Sequence, residues 1–213
     1  MKKILSVLMT IMMLVTLSGC IADSSAHSGV EDGVLTIAME CAYAPYNWTQ
    51  TDDSNGAVPI NDTNDFANGY DVMIAKRICE ANGWELEVVR SDWDSLVPSV
   101  QTGVIDAVIA GQSMTKERSE QVDFAGPYYY ATFAILVKDS SPLVSATSIK
   151  DFGGYKGTAQ SATIWYSDCL PQMEDALIQT AAESAPAMIM GVETGIFDFA
   201  VTDLPTATGA TIA

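Results

Sequence analysis

Apolar positions along this chain gather into short runs and spaced faces that take turns, strand then helix then strand. Residues 34–39 (VLTIAM) alternate weakly and predict a first strand. Over 69–82 the residues Val72, Met73, Ala75, Ile78 and Cys79 share one helical face, and Gly83 supplies the stop. Residues 84–89 predict a second strand. Asp92 is placed to cap a helix over 93–102 that turns Leu96, Val97 and Val100 inward, and a third strand is expected over 105–110. The aromatic and β-branched run 128–138 (YYYATFAILVK) reads as a strand crossing from one half of the chain to the other. Strands over 155–159, 178–181 and 197–202 then alternate with helices over 163–170 and 187–193. Such alternation predicts an α/β architecture.

One stretch breaks the rhythm. Residues 46–69 are polar and longer than a usual connection, and they carry Asp52, Asp53, Asn55, Asp62, Asn64 and Asp65. The spacing lacks the fixed loop and terminal bidentate Glu of a calcium-binding EF-hand, so turns with Asx chemistry are expected.

Composition narrows the class. A 213-residue chain that is 48% hydrophobic supports a real core, in one large domain or two small ones. A net charge of −17 argues against nucleic acid or an anionic membrane surface and is compatible with a cationic or zwitterionic ligand. At the start, Lys2 and Lys3 precede an apolar run over 4–17 that is too short to span a membrane, so residues 1–20 predict a secretory signal. Its ending, Leu17-Ser18-Gly19-Cys20, resembles a bacterial lipobox. That resemblance implies an exported protein held at the cell membrane by acyl chains, such as palmitate, on Cys20, with 21–33 as a flexible linker. Cys41, Cys79 and Cys169 remain, an odd number to which no disulfide is assigned. No Cys or His spacing suggests a metal or cofactor, and the single His27 falls in the linker.

Candidate chemistry centres on Arg118. The run 105–110 ends at Gly111, Gln112 and Ser113, and Thr115 opens a short helix that carries Arg118. Such a loop offers backbone N–H groups and hydroxyls beside a guanidinium fork, a natural carboxylate site. An ordinary strand-to-helix turn with a surface Arg would give the same local pattern.

Gly111, Ser113, Thr115, Glu117, Arg118, Val122, Asp123, Phe124, Pro127 and Tyr128 form a long motif of mixed chemistry. It resembles that of the polar amino acid-binding proteins of ABC importers, the family 3 extracellular solute-binding proteins. The resemblance implies a two-lobed fold of the type II periplasmic-binding-protein kind, with lobes over 34–130 and 131–213 and a ligand cleft between them. It also implies a return segment beyond Ala213, so the chain is expected to be truncated at its C-terminus. By the same resemblance Arg118 takes a ligand carboxylate, helped by Gly111 and Ser113, while Glu40, Tyr43 and Trp93 face the ligand from the first lobe. Thr163 and Asp203 complete the grip from the second lobe, Asp203 on the α-ammonium. Each position has a plainer use: Tyr46 packing under the turn, Trp93 at a helix start, Thr163 and Asp203 as caps. Two departures stand out, Ala162 where the family has glycine and Met73 where it has a second acid. The implied function is delivery of a polar or basic amino acid to a permease by a monomer that is not an enzyme. The alternatives are a cyclohexadienyl dehydratase-like enzyme and a sensory domain of a longer signalling protein.

Overall fold

β1 (Val34–Met39) opens the first lobe in the computed structural model, which describes residues 30–212. The signal, Cys20 and the linker up to residue 29 lie outside the described residues. After β1 come four short strands, β2 (Ala42–Tyr43), β3 (Asn47–Gln50), β4 (Val58–Pro59) and β5 (Phe66–Asn68). Helix α1 (Tyr70–Asn82) leads to β6 (Glu85–Arg90); α2 (Leu96–Gln101) leads to β7 (Ala107–Val108) and then α3 (Lys116–Ser119). β1 lies between β6 and β7, parallel to both, in register Val34↔Glu85 and Ile37↔Ala107. Covered on both faces, a central parallel strand is apolar nearly throughout. Ile37, Ala38 and Met39 are fully buried with Val72 and Ala75 of α1, Val88 of β6 and Leu96 of α2.

The second lobe holds β8 (Phe133–Val137), β9 (Lys156–Thr158), β10 (Leu177–Ile178), α4 (Ala185–Thr194), β11 (Phe199–Asp203) and α5 (Leu204–Ile212). Its sheet runs β10-β9-β11-β8, with β8 antiparallel to β11 and the other pairs parallel. Gly157 of β9 lies flat against Phe199, where a Cβ would sit 2.1 Å from the ring. No side chain can share that space, and Phe199 is fully buried in consequence.

Several sequence expectations need correction. The polar stretch 46–69 contains β3, β4 and β5, which with β2 form an antiparallel sheet in the order β2-β3-β5-β4. Its strands run two to four residues, too short for a period to show. β7 is shorter than its apolar run, because the Asp106 carboxylate takes the Thr36 N–H at 2.8 Å and ends the ladder with a side chain. Only Phe133–Val137 of the run 128–138 is strand. Tyr129 packs instead, edge-on to Tyr46 and to Tyr70. Asp92 precedes a single 3₁₀ turn, Trp93–Ser95, and makes no side-chain cap. The helix expected over 163–170 is a π-helical turn, Trp165–Cys169, followed by a 3₁₀ turn that begins beside Pro171. Thr163 does not cap it; its hydroxyl donates to the Gln160 carbonyl at 2.7 Å.

Candidate functional site

Glu40 follows β1 directly, and the chain turns at Cys41, whose φ of 55° lies in the left-handed region. Asn47 Oδ1 holds this turn by accepting from the Cys41 N–H at 2.9 Å. Tyr43, on β2, then stacks on Tyr46 with centroids 4.9 Å apart. The second first-lobe loop leaves β7 and turns at Gly111, φ 62°, where a Cβ would come within 3.1 Å of the Tyr43 ring. Glycine answers both the backbone angle and the close approach. Thr115 caps α3 by accepting from the Arg118 N–H at 3.1 Å, which turns Arg118 back over the loop.

The Arg118 guanidinium lies between the lobes. Nη1 donates to the Ser113 carbonyl at 2.7 Å, Nη2 donates to the Ala162 carbonyl of the second lobe at 2.6 Å, and Cζ sits 5.6 Å from the centre of the Trp93 ring. Ala162 takes φ 50°, a left-handed angle that glycine would take without strain. Its carbonyl also accepts from Trp93 Nε1 at 3.3 Å. Two more pairs cross the cleft: Gln160 Nε2 donates to Glu40 Oε1 at 2.9 Å, and Tyr43 Oη donates to Asp203 Oδ2. Asp203 is also the cap of α5, its Oδ1 accepting from the Thr206 N–H at 2.8 Å.

The local fields follow from burial. Desolvation raises the Glu40 pKa, the Gln160 hydrogen bond opposes this, and Asp92 and Asp94 nearby raise it further. Desolvation likewise lowers the Arg118 pKa, with Glu117 acting against it. Tyr43 is pushed far up, first by burial and then by the adjacent Asp203 charge.

Glu40, Tyr43, Trp93, Gly111, Ser113, Arg118 and Thr163 line one cleft, together with Gln160, Ile164 and Trp165. Asp203 reaches it through Tyr43 rather than lining it. The Tyr43 ring packs on Tyr46 and Trp165, and the Trp93 ring lies beside the Arg118 guanidinium. Gln160 was not singled out by the sequence reading, although it is 2% exposed and engages Glu40. Trp165 was missed as well; its buried Nε1 has no hydrogen-bond partner among the described residues. The space these groups enclose is ≈ 10 Å³, about the room one water needs. Among the described residues no cluster of His, Cys, Asp and Glu could hold a metal.

Two α/β lobes closing on a polar cleft define a periplasmic-binding-protein-like fold, and solved structures agree. The ancestral amino acid-binding protein AncCDT-1, a precursor of cyclohexadienyl dehydratase, matches with a TM-score of 0.73 at 28% identity, covering 86% of this chain and 75% of that one. The amino acid ABC transporter substrate-binding protein AbpA from Streptococcus pneumoniae, bound to L-arginine, matches with a TM-score of 0.71 at 27% identity, over 84% and 70% of the two chains. Residues 35–185 match the bacterial extracellular solute-binding proteins, family 3, and the chain belongs to that family. The arginine-binding extracellular protein ArtP of Bacillus subtilis is 30% identical over 152 residues, 70% of this chain and 53% of the relative. A probable histidine-binding protein of Neisseria gonorrhoeae is 26% identical over 187 residues, 85% of this chain and 63% of the relative. The chain thus spans between half and two thirds of the length of these two relatives.

Proposed function

We propose that this chain is a substrate-binding lipoprotein of an amino acid ABC importer, which captures a polar or basic L-amino acid between lobes 34–130 and 131–213 and delivers it to a membrane permease. The observation that carries the reading is the convergence on one cleft of the Arg118 cation and the Glu40 carboxylate, with the Asp203 carboxylate directly behind Tyr43. Arg118, beside Gly111 and Ser113, matches a ligand carboxylate, Asp203 an α-ammonium, and Glu40 a cationic or amide side chain near Tyr43 and Trp93. Thr163 stands on the second-lobe turn that closes over the carboxylate. A cleft of ≈ 10 Å³ cannot hold an amino acid, so the lobes part to admit one. Each cross-lobe pair gives way to the ligand group that replaces it. Only a true α-amino acid satisfies both lobes at once, and that differential contact makes closure ligand-dependent. The arginine-binding relatives support a basic ligand. The protein works as a monomer and without a cofactor.

A dehydratase on this scaffold is the rival, favoured by the precursor relationship of one structural neighbour. It needs an acid free to protonate a leaving group. Amino acid binding already accounts for Arg118 and Asp203, which leaves Glu40 as its acid, and prephenate turnover by the purified protein would reverse the ranking.

Glu40→Gln tests the ligand class. A carboxylate with no donor in a dry cleft is penalised, so the parent is expected to prefer arginine, lysine or glutamine and to bind aspartate and glutamate worst. In the variant the preference for basic over neutral ligands falls, read by calorimetry across an amino acid panel. An unchanged ranking places Glu40 outside side-chain selection. Cys20→Ser tests the anchor: the variant is expected in the soluble fraction of its host with parental affinity, and retention on membranes after a salt wash rules out lipidation at Cys20.

A further inference from the structure

Asp71 is fully buried at the first turn of α1, and both of its oxygens are taken. Oδ2 accepts from Asn47 Nδ2 at 2.8 Å, and Oδ1 accepts from Tyr128 Oη at 2.7 Å. Each partner passes the contact on to a backbone N–H. Asn47 Oδ1 accepts from Cys41 N at 2.9 Å, and Tyr128 Oη accepts from Gly111 N at 3.0 Å. Both end points are residues of positive φ, Cys41 at 55° and Gly111 at 62°, and each stands within the loop that carries one half of the first-lobe cleft. Cys41 is next to Glu40; Gly111 lines the cleft two residues before Ser113.

We infer that Asp71 is a positioning residue for the ligand site, one buried carboxylate that sets both first-lobe ligand loops through Asn47 and Tyr128. The inference rests on the amino acid-binding reading of the cleft and adds to it a cause for the loop geometry. The argument is one of hydrogen-bond polarity. A carboxylate only accepts, so Asn47 must turn its amide nitrogen toward Asp71 and its oxygen toward Cys41, and Tyr128 must spend its proton on Asp71 and keep a lone pair for Gly111. A neutral amide at position 71 offers a donor to one arm and scrambles that order. An apolar residue would fill the volume with less desolvation, but would leave both arms free to rotate. Burial does raise the Asp71 pKa, while the hydrogen bonds from Tyr128 and Asn47 act the other way.

The two arms end at different parts of the site, which separates positioning from mere stability. Tyr128→Phe keeps the ring and releases the Gly111 N–H to water, beside the loop that meets the ligand carboxylate. It is expected to weaken all amino acids alike, by about twofold to tenfold. Asn47→Ala strands the Cys41 N–H beside Glu40, and is expected to change the ranking of basic against neutral ligands. The exchange Asn47→Asp with Asp71→Asn restores a donor facing an acceptor at that joint, leaves an acceptor for each arm, and is expected to recover most of the affinity that Asp71→Asn alone loses. Affinities come from calorimetry with arginine, lysine, glutamine and alanine, with thermal midpoints of the ligand-free variants alongside. Parental affinity and ranking in both Tyr128→Phe and Asn47→Ala overturn the relay, as do losses that follow the thermal midpoint and not the arm removed. Should Asp71→Asn fail to fold, those two variants carry the test. A parent that binds no amino acid overturns the reading beneath, whereas a binding parent with unaltered variants overturns the relay alone.

Discussion

Arg118→Ala is expected to raise the dissociation constant for the bound amino acid by roughly thirtyfold to several-thousandfold, about 2–5 kcal/mol, with both lobes still folded. The effect is large because the guanidinium has already lost part of its water, and that desolvation lowers its pKa. A carboxylate brought there without it would lose its counter-charge and its two-pronged donor together. Stability should suffer far less. Arg118 is only partly buried, and what it leaves behind are two carbonyls, of Ser113 and Ala162, that water reaches once the lobes part. Calorimetry on the variant, with its thermal midpoint as a control for folding, reads both quantities. Unchanged affinity would remove Arg118 from the site.

The second large effect belongs to Asp203, whose carboxylate serves two purposes that substitution can separate. Oδ1 caps α5 at the Thr206 N–H, and Oδ2 meets the Tyr43 hydroxyl toward the cleft. Asp203→Asn keeps an oxygen for the cap and removes the charge. It is therefore expected to melt close to the parent while binding weakens by about 2–5 kcal/mol, the consequence of leaving a ligand ammonium unpaired. Asp203→Ala removes the cap as well, with about 0.5–2 kcal/mol of stability lost in addition. Denaturant unfolding and ligand titration of the two variants together give the answer. If Asp203→Asn binds like the parent, Asp203 is a cap and nothing more.

Local signals carried most of the framework. β1 and α1 were legible because their periods are long enough to count and Gly83, φ 73°, ends the helix in the left-handed conformation. The polar sheet over 46–69 was not. Its strands are short, and Asn47 and Asn68 are buried for hydrogen bonds to Asp71, Cys41 and Gln50 that no apolar pattern announces. The site divides in the same way. Arg118 sits in a motif read along the chain, whereas the burial of Gln160 is owed to Glu40, 120 residues away. Propensity sees only neighbours in sequence, so a glutamine in a turn reads as surface until the fold brings its partner. Ala162 was legible as a departure from glycine but not as the carbonyl that meets Arg118, since the sequence does not say which way a peptide plane faces.

The pairing of Tyr43 with Asp203 joins residues 160 positions apart, and this separation has a meaning in time. At a synthesis rate of about 5–20 residues per second, Asp203 is made on the order of ten seconds after Tyr43. The partners β1, β6 and β7 of the first-lobe sheet have all been made by Val108. β8, by contrast, waits for β11 at the far end of its lobe. A nascent chain therefore possesses Arg118 and its loop well before Asp203 is made. A contiguous fragment that stops short of residue 203 lacks the Tyr43–Asp203 pair, and on the proposed reading it lacks the contact to a ligand ammonium with it.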